Sequence, residues 1–312
     1  MKFLKSYVVI FLIFFICSNF YCQKKNIKIT TKRNADNSVD FYFKKLKPGS
    51  YFVNVKFSQL LNTHDGNYKG VVKDKSGFLF NLKPINKKKF VRYSFKYSWI
   101  RGNPKAKVDS LFTYVLPFEK EHLIAVKEQG YIREKFFGAE RPNNWKSYAL
   151  ANKTTDIVKS MRRGVVVDII NKYELDTIKK IYSSKKNQLT IEHPDGTYAT
   201  YKGFSKNSFL VKLGQNVYPH SPLGKITKNE KGFYIMSFYI RYLIGDNFGK
   251  KQKFINKKSR SNFISPFFLV ANEKVKLKSK QKYIVDYNES VFLKEFSKKE
   301  KRKYKKKPNL FK

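Results

Sequence analysis

Four histidines, 23 acidic residues and two cysteines are the groups from which this 312-residue chain would have to build a reactive site. The histidines are scattered, at His64, His122, His193 and His220. His64 sits beside a turn (THDG) with no second ligand near it. Glu192 and His193 are neighbours on a segment that alternates like a strand, so their side chains point to opposite faces. Asp156, Glu192 and Asp195 do not make a convincing acid/base pair, and Asp195, followed by Gly196, reads as a turn residue. There is no Gly-rich phosphate loop. No Ser-His-Asp pattern stands out, although a triad is assembled by the fold and spacing alone leaves that open. No catalytic residue is nominated. Both cysteines, Cys17 and Cys22, fall in the first 22 residues.

The elements that would position any site are strands. Val39–Phe43, Tyr51–Phe57, Phe78–Leu82 and Phe90–Trp99 alternate apolar and polar residues, and Pro48-Gly49, Asp65-Gly66 and Ser76-Gly77 separate them. That spacing predicts a β-sandwich-like domain over 24–110. From Gln188 the pattern repeats. Leu189 and Ile191 alternate, Asp195-Gly196 supplies a tight hairpin turn, Thr197–Tyr201 returns, and Leu210–Leu213 reads as a further short strand stopped by Gly214. Asn171–Ser184 reads as a surface excursion, with a short helix over Leu175–Tyr182. The fold class is therefore mainly β.

The ends differ from the middle. Lys2 and Lys5 precede an apolar run, Tyr7–Ile16, too short to span a bilayer comfortably. Residues 1–22 read as a signal peptide, which predicts export to the periplasm, the outer membrane surface or the outside of the cell. Large residues before Cys17 and Cys22 argue against lipidation. Net charge is +43, but it is spread along the chain, which favours a solvated surface over one docking patch. Val291–Lys307 reads as a helix start that dissolves into charge, and the Lys/Arg run within residues 291–312 is expected to repel itself and to be disordered alone, a solvated tail. Anionic envelope polymers are partners such a surface could touch; nucleic acid is not expected in an exported protein.

The central region resembles the lysostaphin-type (LytM-like) zinc metallopeptidases, the peptidoglycan endopeptidases. Asn187, Ile191, His193, Asp195, Gly196, Thr197 and Tyr201 match one family motif, and Val211, Gly214, Gln215, Val217, Leu223 and Gly224 the next. Tyr114–Phe118, Gln129-Gly130-Tyr131 and Arg163–Val166 match landmarks of Bacteroidetes-type members, as, loosely, do Phe263–Leu269 and Lys282-Tyr283. The resemblance covers Thr113 to Tyr283. It implies a lysostaphin-type antiparallel β-sheet or open-barrel domain over 113–290, behind the sandwich.

The resemblance stops at the metal. Ala151 stands where the family has a zinc-binding aspartate, Gly203 where it has a helper histidine, and Ile235 and Ser237 where it has a His-x-His pair. No histidine lies between His122 and His193 to serve as the first ligand. A catalytic zinc needs three protein ligands and an open position for water, and it lowers that water's pKa from ~16 to ~7. The expectation is no metal ligand, no zinc cofactor and no zinc hydrolysis at this site. Tyr148, Phe204, Tyr234, Phe238 and Tyr239 flank those positions. They either fill the vacated space or line a groove that grips peptide or glycan by stacking.

The reading is an exported metallopeptidase-like pseudoenzyme that binds peptidoglycan or regulates wall hydrolysis. Degenerate members of the family activate wall amidases, which makes an amidase a possible partner. The alternatives are an active peptidoglycan hydrolase with a relocated site, and a purely structural or adhesive secreted protein. Oligomeric state is not legible in the sequence.

Overall fold

The computed structural model describes residues 26–311 apart from 65, 132–133, 135–137, 139, 143, 175–184 and 246–259. The segment expected to be a signal peptide, with Cys17 and Cys22, and the helix expected over Leu175–Tyr182 lie outside the described residues.

Alternation in the first hundred residues becomes six strands: β1 (Ile27–Arg33), β2 (Val39–Lys45), β3 (Tyr51–Leu61), β4 (Tyr68–Val72), β5 (Ser76–Leu82) and β6 (Arg92–Arg101). They form two three-stranded antiparallel sheets, ordered β1-β2-β5 and β4-β3-β6. Every second residue points inward, so Ile27, Val39, Phe41, Val53 and Val55 from both sheets are fully buried in one core. Phe41 is its centre. It stacks on Phe80 at 4.5 Å and meets Phe57 and Phe95 edge-on at 5.6 and 5.2 Å. This is a small sandwich. Two of its strands, β1 and β4, were not expected.

The second half supplies β7 (Thr113–Tyr114), β8 (Leu123–Glu128), β9 (Tyr148–Asn152), β10 (Ile157–Lys159), β11 (Gly164–Ile170), β12 (Asn187–Glu192), β13 (Tyr198–Phe209), β14 (Asn216–Val217), β15 (Pro222–Ile226), β16 (Tyr234–Leu243), β17 (Ser261–Ile264), β18 (Phe267–Val270), β19 (Glu273–Lys276) and β20 (Lys282–Ile284). One large sheet runs β14-β11-β12-β13-β16-β9-β8-β20, with β15 on β13, β10 on β15 and β17 on β16. Its ends do not join, so it is an open sheet and not a closed barrel. β18 lies between β19 and β7, parallel to β7. The core behind the sheet contains Leu116, Phe118, Leu150, Leu189, Ile191, Tyr201, Phe204, Phe238 and Phe268. The protein is mainly β, with several antiparallel sheets.

The β12–β13 turn forms as its residues dictate. Gly196 takes φ +82, and Asp195 accepts from the Thr197 amide at 3.1 Å and hydroxyl at 2.7 Å. Two expectations fail. Leu210–Leu213 is not a strand: β13 runs on to Phe209, and the segment turns away with Leu210 and Leu213 exposed. The basic end is not a solvated coil. It folds as helices α1 (Glu289–Phe292) and α2 (Lys298–Lys306) and a short 3-10 turn, Pro308–Phe311.

Candidate functional site

Three neighbouring strands, β13, β16 and β9, carry the four positions at issue. In register, Ile235 lies opposite Ala151, Ser237 opposite Ala149, and Lys202 opposite Ser237. Residues directly opposite one another share a face. Ala149, Ala151, Lys202, Ile235, Ser237 and Tyr239 therefore line the outer face of the sheet, and Ala125 extends the Ala151 row on β8. Gly203 follows Lys202 with φ +107. A Cβ there would come within 3.1 Å of the Ile235 carbonyl oxygen, so the backbone at this point suits glycine alone.

The expected groove aromatics divide by this alternation. Tyr148 pairs with Phe238, and Phe238 with Tyr201; all three face the core. Tyr148 and Phe238 stack at 5.3 Å, and burial pushes the Tyr148 phenol up to about 12. Phe204 is also in the core. These three pack behind the sheet and do not flank the outer positions, which corrects the sequence expectation. Tyr234 is partly buried against the core at the strand's start, with the Lys228 ammonium 5.2 Å from its ring centre. Tyr239 alone of the five stands on the outer face.

Tyr239 has companions that sequence reading missed. Trp145 lies 6.1 Å from it, Phe263 lies 5.7 Å from it, and Trp145 and Phe263 meet edge-on at 4.6 Å. Tyr131 closes on Trp145 at 4.8 Å. The indole N–H donates to the Gln129 carbonyl at 2.9 Å, which fixes the ring, and the Lys202 ammonium lies 4.9 Å from the Tyr239 ring centre. These half-buried aromatics border the Ala149–Ser237 row. Trp145 and Tyr131 precede β9, and Phe263 reaches the face through the Arg241–Phe263 pairing. Only the aromatic character of these residues was visible in sequence, not their common face.

The outer face changes character along β16. Ile235, at one end, is 40% exposed, whereas Leu243, on the same face at the other end, is 2% exposed. The sandwich covers that second end. A Cβ on Gly102 would lie 3.0 Å from Leu243 Cβ and 3.6 Å from Tyr198, and Glu192 accepts from the Ser50 amide at 2.7 Å.

As a ligand set, the four positions present one hydroxyl, two alkyl groups and a glycine, with the Lys202 ammonium on the strand opposite Ser237. A cation there opposes a second cation, and the set does not fit zinc. Among the described residues, no three His, Cys, Asp or Glu groups are placed to hold a metal.

The histidines lie elsewhere. His193 is buried, with Nδ1 2.7 Å from the Arg163 carbonyl oxygen. Burial, then the nearby Arg162 cation, depress its pKa to about 3. His220 is buried too, lies 3.6 Å from Tyr287 between ring centres, and is depressed to about 3 by burial first and Lys159 second. His64 is exposed. Glu192 and His193 do point apart, Glu192 toward Ser50 and His193 inward. Asp195 has a second role that its turn position hid: it pairs with the buried Arg162 at 2.9 Å.

No protein-family model matches the sequence, and no curated protein matches it. Solved structures similar to the chain include a candidate M23 peptidase of Pseudomonas aeruginosa, 13% identical over 61% of this chain and 82% of that one, with a TM-score of 0.23. Another is Csd3 of Helicobacter pylori, 12% identical over 92% of this chain and 84% of that one, with a TM-score of 0.27. At such scores neither likeness decides what this chain does. Among the described residues, no helix is long and apolar enough to cross a membrane.

Proposed function

We propose that this is an exported, catalytically inactive metallopeptidase-like protein of the cell envelope, which binds peptidoglycan through the outer face of β9, β16 and β13. The observation that carries the reading is the juxtaposition on that face. Ala151, Ile235 and Ser237, which match the ligand positions of the lysostaphin-type motifs, lie side by side beside the Trp145–Tyr239–Phe263 wall. Along this row Ile235 is 40% exposed, Ala149 and Ala151 are half-buried and Ser237 is 7% exposed. Sugar rings and peptide side chains stack on fixed indole and phenol rings without any bond being broken. Binding of this kind would serve a regulator of wall hydrolysis, presenting the wall to an amidase partner.

The test is retention on isolated sacculi. Wild-type protein is expected to sediment with them, and Trp145→Ala with Tyr239→Ala to weaken retention at least tenfold, as loss of a central aromatic contact does. Retention no better than that of an unrelated protein of equal charge would leave a structural or adhesive role instead. Stoichiometric zinc together with chelator-sensitive wall digestion would replace the proposal with a hydrolase whose site has moved.

A further inference from the structure

The sandwich and the large sheet meet around a cavity of about 620 Å³, within the range that holds small ligands. Five cationic side chains reach it, Lys45, Lys47, Lys73 and Lys75 from the sandwich and Arg163 from β11's approach, and Glu192 is the one carboxylate in its lining. Two of the cations are already matched. Lys47 pairs with Asp168 at 2.7 Å, and Arg163 makes a two-pronged contact with Glu300, both arms at 2.8 Å. Lys45, Lys73 and Lys75 remain against Glu192 in the lining and Asp74 between the last two, three positive charges against two negative.

Lys45 is the unusual member. It is 4% exposed, and its ammonium donates to the carbonyls of Gly49 and Lys73. Two of its three N–H groups are so used, and the Tyr51 ring centre lies 5.5 Å from Nζ. Among the described residues no carboxylate pairs with it. Burial lowers its pKa, and Glu192 and Asp74 only partly offset this. A buried cation without a countercharge is costly, and here it borders open space whose exposed rim carries Lys73 and Lys75.

We infer that this cleft binds a phosphate group. A phosphate monoester brings negative charge to this net-positive lining and offers three terminal oxygens to its cationic groups, one more than a carboxylate has. The volume leaves room for a sugar-sized substituent. The inference is independent of wall binding, because the cleft contains none of the residues assigned to that binding, Ala151, Ile235, Ser237, Trp145, Tyr239 and Phe263.

Calorimetric titration of the full mature chain with glucose 1-phosphate tests it, with citrate as the carboxylate control and phosphatidic acid in phosphatidylcholine vesicles as a second arm. The phosphate ester is expected to bind saturably, K73E/K75E to weaken it at least tenfold, and Lys45→Met to weaken it further if that variant folds. K87E/K88E changes the charge equally on an exposed loop at the sandwich's other end and is expected to stay within twofold of wild type. Binding to vesicles alone, still lost in K73E/K75E, assigns the phosphate to a lipid headgroup. No saturable binding in either arm, equal weakening by the two double variants, or citrate binding as tightly would overturn the proposal.

Discussion

His193 and His220 are the residues whose chemistry invited a catalytic reading, and the fold uses both as neutral packing groups. Each is held near a pKa of about 3, against 6.5 for an exposed imidazole. The unfolded chain therefore binds more protons between those limits, and stability is full above pH 6.5 and falls as pH drops toward 3. The slope is about 1.4 kcal/mol per pH unit for each histidine. His220 has φ +64, a conformation asparagine tolerates. Urea midpoints for His220→Asn at pH 7 and pH 5 should show about half the acid loss of wild type; an unchanged loss would mean His220 is not protonated on unfolding in this range. Gly203 is the second informative residue. With φ +107 and the Ile235 carbonyl oxygen 3.1 Å from a notional Cβ, Gly203→Ala should cost about 1–3 kcal/mol, read as a lowered urea midpoint. A cost below 0.5 kcal/mol, roughly the scatter of neutral surface changes, would show that the strand relaxes at this point. Motif order, which preserves spacing, picked out Ala151, Gly203, Ile235 and Ser237, but not Ala149 and Lys202 beside them. Which aromatics shared that face was not read, although alternation held the answer: Phe238 adjoins Ser237 and must point the other way.

The C-terminal segment shows the limit of reading an element by itself. Its nine-residue helix α2 carries seven basic residues, and a helix so short is marginal alone. Like-charge repulsion is real, but two sets of distant contacts outweigh it. Phe292, Phe296 and Phe311 are buried together, with Tyr218 and Tyr304 packed against them. Arg162 binds Glu295 through two nitrogens at 3.1 and 2.7 Å, and Arg163 binds Glu300. Glu300 also accepts from the Ser297 amide and hydroxyl at 2.8 Å, completing the cap of α2. Burial raises the Glu300 pKa, but the bonds from Arg163 and Ser297 prevail and hold it at about 2, below its ordinary 4.5. The contribution is thus present above pH 4.5 and lost as pH falls toward 2. Nothing in residues 291–312 announces arginines some 130 positions upstream, so the sequence pattern alone misreads the segment. Phe296→Ala should cost about 3 kcal/mol of packing and free α2, whose lysines then become rapid trypsin sites at neutral pH. Cleavage there no faster than in wild type would show that the ion pairs alone secure the segment.

At the scale of the molecule, the sandwich partly roofs the sheet that bears the candidate site. Four of its six strands were legible because alternation and turn residues are local signals. Its position was not, since the contacts that set it join residues far apart in the chain. Lys47 meets Asp168, Ser50 meets Glu192, and the Arg101 guanidinium donates to the Val167 carbonyl at 2.7 Å. Gly102 sits in the middle of this interface with φ +118, and a Cβ would press on Leu243 at 3.0 Å. The fit is close enough that a side chain there presses on Leu243, and a larger one is expected to displace the modules, while neither core contains the residue. Modules joined by such an interface unfold together; modules held only by the chain unfold separately. Calorimetry of wild-type protein should give one transition, and Gly102→Val two, the β-branched side chain adding strain at positive φ to the steric contact. The same variant should raise the radius of gyration in small-angle scattering and expose Leu243 to solvent. One transition at an unchanged midpoint would mean that the sandwich tolerates displacement, and that its cover over the far end of β16 is loose.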